Sequence, residues 1–200
     1  MDPVEVPDVK DQRRVDFTDG DDLPDGARIH DSGGNESGME VVDGALTHGP
    51  ATGQDAISYL ETELASDVQA LGATVRFAGA DSGSVALTAW QDSVVEAGED
   101  GQPAPATGMR LVAVPGEWAL VISAEGEDVI GQGTFAATTE PATFEVYRQD
   151  DVLIVVDPDG TVSTVQDPRI AELAGPWASW ELAESGPDEA PAAFLALWAG

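Results

Sequence analysis

The chain has 200 residues, with 8 Lys+Arg against 38 Asp+Glu and a formal net charge of −30. That length suits one domain, or one domain with an arm, and 42% hydrophobic residues suffice for a core. The acidity excludes nucleic acid as a partner, because such a surface repels phosphate. The lack of cysteine excludes disulfides, thiolate metal sites and a cysteine nucleophile.

No apolar run reaches the roughly 18 residues of a membrane-spanning helix. The opening Met1-Asp2-Pro3-Val4-Glu5 has neither the basic nor the apolar region of a signal peptide. Synthesis in a cytoplasm without membrane insertion is therefore expected.

Residues 1–16 read as an extended arm. Pro3 and Pro7 remove backbone donors, and Asp2, Glu5, Asp8 and Asp11 interleave with Val4, Val6 and Val9 without helical spacing. The arm is either a solvated tail or a docking segment whose Val4, Val6 and Val9 add to a partner's sheet edge. Thr18 to Gly26 is turn chemistry. Counted from Asp19, an EF-hand loop needs an oxygen ligand where Leu23 stands, so a solvated turn without metal is expected.

From Gly38 onward, short runs alternate with turn residues, the pattern of a sandwich or barrel. Strands are expected at Met39 to Leu46 (broken at Asp43-Gly44), Asp67 to Phe77 and Gly83 to Gln91, with a loop over Val94 to Thr107. Met109 to Val114 and Glu117 to Ala124 are two more, joined by Pro115-Gly116 with the residues of a type II turn. Val152 to Val156 and Thr161 to Val165 flank Asp157-Pro158-Asp159-Gly160, which fits a hairpin with Gly160 in left-handed geometry. The first strand of that hairpin is apolar throughout, so it belongs inside a sheet covered on both faces. Asp167 caps a single helical turn with Pro168 at its first position, and strands at Trp177 to Ala183 and Ala192 to Trp198 follow. About a dozen short strands predict an all-β, two-sheet antiparallel sandwich of jelly-roll type over 17–200, preceded by the arm.

The stretches Met39 to Leu46, Met109 to Ile122, Gly133 to Ala136, Asp167 to Leu182 and Phe194 to Gly200 resemble concanavalin A-like (laminin G-like) jelly-roll domains. The run "DPRIAELAGPWASWEL" and the closing "WAG" are similar to sandwich domains of actinobacterial proteins and of phages that infect actinobacteria. The resemblance implies a non-enzymatic accessory protein of a virion, in a minor tail, tail-tip or capsid-decoration role. It would be made in the host cytoplasm, sit among other virion proteins as a symmetric oligomer and contact host cell-wall glycan. The alternative is a free carbohydrate-binding module.

Glycan hydrolases of this fold carry three carboxylates on one strand, which alternation places on one face. That spacing is absent: Glu125-Gly126-Glu127-Asp128 falls at a turn, and Glu61 and Glu63 lack a third partner. His30 and His48, the two histidines, have no metal-ligand or triad spacing, and His48 is expected to be exposed. No catalytic residue, metal or cofactor is expected. For sugar stacking, strand parity turns Trp90, Tyr147 and Trp177 toward the polar faces, whereas Trp118, Trp180, Phe194 and Trp198 read as core.

Overall fold

In the computed structural model, residues 5–9, 12–32, 38–48, 56–79, 82–93, 107–123, 126–184 and 192–200 are described. They form two antiparallel sheets. The first runs β13 (Val162–Gln166), β12 (Val152–Val156), β11 (Ala142–Gln149), β6 (Ala70–Arg76), β15 (Ala193–Ala199), β4 (Ala45–His48) and β3 (Met39–Val42), and β1 (Arg13–Asp16) also pairs with β15. The second runs β10 (Glu127–Thr134), β9 (Glu117–Ser123), β8 (Gly108–Val114), β7 (Ser84–Gln91), β14 (Trp177–Glu184), β5 (Ala56–Glu63) and β2 (Arg28–Ser32).

Alternation supplies the core. Leu71, Ala73 and Val75 of β6, Phe144 and Val146 of β11, and Leu153 and Val155 of β12 face Leu87, Leu111, Leu120, Trp118 and Trp180 of the second sheet. The local signals place the turns. Gly160 has φ +76, Asp157 accepts from the amides of Asp159 and Thr161, and β12 lies between β13 and β11. Gly116 has φ +90 between β8 and β9. The Asp167 carboxylate accepts from the Arg169 amide to cap a 3-10 turn at Pro168–Glu172. The expected broken strand from Met39 is a hairpin, β3–β4, because Asp43 and Gly44 both take positive φ (49 and 75), as a primed turn requires. The expected turn after Asp16 includes a short 3-10 turn at Phe17–Asp19, capped by the Asp16 carboxylate. Of the loop expected over Val94 to Thr107, residues 94–106 lie outside the described residues.

Two bulges overturn the parity argument for tryptophans. Ala178 pairs with Ala89, but the next pair is Trp177 with Gln91, leaving Trp90 unpaired at φ +60. The extra residue turns the Trp90 indole inward. It is fully buried and donates its N–H to the Val68 carbonyl, so the expectation that Trp90 is an exposed ring is corrected. In β15 the register slips between Phe194 and Ala196, so Phe194 and Leu197 both enter the core. Trp198, expected between the layers, is buried instead on the outer face of the first sheet. Its ring lies over Gly72, where a Cβ would stand 2.2 Å from the indole, while the Trp180 N–H donates to the Gly72 carbonyl at 3.1 Å.

Trp198 joins Tyr147, Ala70 and Ile154 in a second apolar cluster, with Val6, Val9, Val152 and Val156 packed against it. The Tyr147 and Trp198 rings are 5.7 Å apart. Tyr147 does face outward, as parity predicts, but it is only 6% exposed, because neighbouring side chains and the chain's own arm cover it. The expected exposed ring is therefore a second correction. Of the arm, Arg13–Asp16 is a strand of the first sheet, and Val6 and Val9 are partly buried against this chain's own Tyr147–Trp198 cluster. Val4 lies outside the described residues.

Candidate functional site

Strand register organises the outer face of the second sheet into rows. One row runs Val129, Val121, Arg110, Thr88, Ser179, Glu61, Arg28. The adjacent row runs Gln132, Ala119, Val112, Ala86, Glu181, Tyr59, His30. On the other side of the first row, Trp177 stands between Gln91 and Glu63.

Two carboxylates are buried on this outward face. Glu181 is 3% exposed, and one Arg110 nitrogen lies 2.5 and 2.6 Å from its two oxygens. Burial pushes the Glu181 carboxyl up, Arg110 opposes that, and Glu127 adds to it. The same burial, with the charge of Glu181, pushes the Tyr59 phenol up to about 12. Glu61 is fully buried: Ser93 donates to it at 2.8 Å, His30 Nε2 stands 3.3 Å away and Arg28 3.8 Å away. A carboxylate in an apolar setting is costly unless cations and donors surround it, and both have that company.

The sequence paired Glu61 with Glu63, which is exposed. The structure pairs Glu61 with Ser179 and Glu181 with Tyr59, so the two buried glutamates are diagonal neighbours on adjacent strands, roughly 7–8 Å apart at Cα. No sequence signal marks this, because the pairing joins distant segments. Covered and held by cations, neither carboxylate is free to attack a substrate, and the arrangement suits fixed hydrogen bonding.

Of the three rings proposed for sugar stacking, Trp177 alone sits on this face and is half-buried. The Arg28 guanidinium lies 4.9 Å from its centroid, a cation–π contact that ties the indole to the Arg28–Glu61 pair. Beside it, Gln91 donates to Ser179 Oγ at 3.2 Å. Gln91 Oε1 and Arg110 Nε are buried with no hydrogen-bond partner among the described residues.

His48, expected at the surface, is 4% exposed and bridges the sheets. Its Nε2–H donates to the Leu182 carbonyl at 3.0 Å. Nδ1 is 3.2 Å from Ser58 Oγ, which in turn donates to Asp31. Burial lowers the His48 pKa, and Leu182 and Asp31 oppose that.

No family model matches this sequence, and no characterised protein matches it at the sequence level. Solved structures do match. The VIP36 exoplasmic/lumenal domain bound to Ca2+ and mannose gives TM-score 0.60 at 8% identity, covering 87% of this chain and 82% of that one. The Emp47p carbohydrate recognition domain gives 0.64 at 12% identity, covering 92% of each. A legume lectin-like domain from Entamoeba histolytica gives 0.59 at 8% identity, covering 86% and 88%. At these identities the likeness establishes the fold, a concanavalin A-like jelly roll, as expected. Among the described residues no group of three His, Asp or Glu is placed to hold a metal ion.

Proposed function

We propose that the chain is a non-enzymatic carbohydrate-binding domain that takes a neutral glycan on the outer face of the second sheet. The observation that carries this is the pair of buried, arginine-held carboxylates on an outward face beside a half-buried indole. A merely solvated face gains little from burying carboxylates, whereas binding sites hold a few fixed polar groups in such settings. Arg28 and Arg110 balance Glu61 and Glu181, while the chain as a whole carries −30, which disfavours anionic sugars. The mannose and carbohydrate-recognition titles of the structural neighbours favour the same ligand class.

The setting we favour is the virion of an actinobacterial phage, as a minor tail, tail-tip or capsid-decoration protein in symmetric copies among other virion proteins, meeting cell-wall glycan. What supports it is the sequence resemblance over Asp167 to Leu182 and the closing Trp198-Ala199-Gly200. A free carbohydrate-binding module is the alternative. Peptides of this chain in purified particles are expected; a chain found only in host extracts contradicts the virion setting. For the glycan, titration calorimetry with neutral oligosaccharides should give binding that Trp177→Ala weakens by about tenfold. Binding that ignores Trp177→Ala would remove this face as the site.

A further inference from the structure

We infer that the glycan site is extended: a neutral oligosaccharide lies diagonally across the second sheet, from Trp177 to a cavity near the Pro115–Gly116 turn. This rests on the proposed glycan-binding reading and adds the form of its ligand. The cavity, of about 400 Å³, is lined by Val112, Val114, Glu117, Ala119, Gln132 and Thr134 among others. Its size falls in the range of small-molecule sites. Its floor is apolar and its rim, Glu117, Gln132 and Thr134, is exposed and polar. Such a lining suits a pyranose, which offers C–H faces to the floor and hydroxyls to the rim.

Three observations join this cavity to the polar centre. Val112 and Ala119 share one row with Ala86, Glu181 and Tyr59, so the cavity floor and the buried carboxylate lie on one line across the sheet. Ala119 is half-buried with a small side chain, which leaves a trough beside the larger Val112 and Val114. From β14, which carries Trp177, to β10 the track crosses five strands, a path of roughly 19 Å at the usual strand spacing, room for a short oligosaccharide. The third observation is exposed apolar surface. Val114 and Val129, 39% and 61% exposed, stand on β8 and β10 beside this path. The residues along it bring no net positive charge, because Arg110 is neutralised by Glu181 and approaches Glu127 at 3.9 Å. A neutral ligand therefore fits the whole track, as it fits the centre.

The test is calorimetric titration of the full chain with a ladder of neutral gluco- and manno-oligosaccharides, from monosaccharide to hexasaccharide. Affinity should rise by about tenfold or more along the ladder. That gain should disappear in Ala119→Trp, which fills the trough, and in Val114→Asp, made at an exposed position; unchanged melting temperatures would confirm that both fold. A ladder bound without length dependence, or a gain that survives both substitutions, overturns the extended site and leaves the proposed function standing. If no member binds, both readings fall.

Discussion

The two outer faces of the sandwich are finished differently. On the first sheet Tyr147, Trp198 and Ile154 project outward but are sealed by Val152, Val156, Val6 and Val9. On the second sheet no such arm covers the face among the described residues, yet Glu61 and Glu181 are buried within it. Aromatic side chains on an outward face are thus consumed by the chain's own packing in one case. In the other, buried carboxylates are held beside arginines. The contrast teaches that outward parity alone does not make a ring available; a distant segment decides it.

The largest expected effect is on the second face. Arg110→Ala strands the Glu181 carboxylate and should cost about 2–3 kcal/mol, less than a fully buried pair because Arg110 is 30% exposed. Urea denaturation measures it, and adding Glu181→Gln should restore part of the loss. A variant as stable as the parent would mean that the buried pair is not a fixed element. On the first face, Val6→Asp with Val9→Asp should lift the arm. Two partly buried valines are worth about 1–2 kcal/mol, and tryptophan emission should shift to the red as Trp198 meets water. Unchanged emission would contradict the sealed face.

The smallest effect is on pH dependence, and its sign is set by His48. Burial lowers the His48 pKa from 6.5, so its contribution is complete above that value. As pH falls below about 6.5 the unfolded chain takes up a proton that the folded chain resists, and stability declines. Glu181, whose pKa is raised, acts oppositely, since the folded chain protonates first and gains stability on acidification. The His48 part is therefore read as the difference from His48→Asn, whose urea midpoint should fall less between pH 7.5 and 5.5. Parallel curves would remove His48 from the account.

Much of the architecture was legible in local sequence. Asp157-Pro158-Asp159-Gly160, Pro115-Gly116 and Asp167-Pro168 each carry their own backbone preference, and the turns formed where those residues stand. The errors came from non-local structure. Trp90 is itself the extra residue of its strand and Trp198 follows one, and period-two alternation cannot register an insertion. Tyr147 was placed on the right face, but its cover comes from residues outside its own strand. Trp177 kept its expected face because β14 pairs with β5 without a slip. The glutamates were visible as residues but not as a pair, since Glu61 and Glu181 meet only through the pairing of β5 with β14.

Ligand should meet the second sheet and not the first, and among the five tryptophans Trp177 and Trp198 report on the two faces. Titrating the isotopically labelled chain with a neutral hexasaccharide while following indole N–H signals by NMR tests it directly. The Trp177 signal should move as the sugar binds, and the Trp198 signal, under the arm, should stay. A moving Trp198 with a static Trp177 would contradict the account.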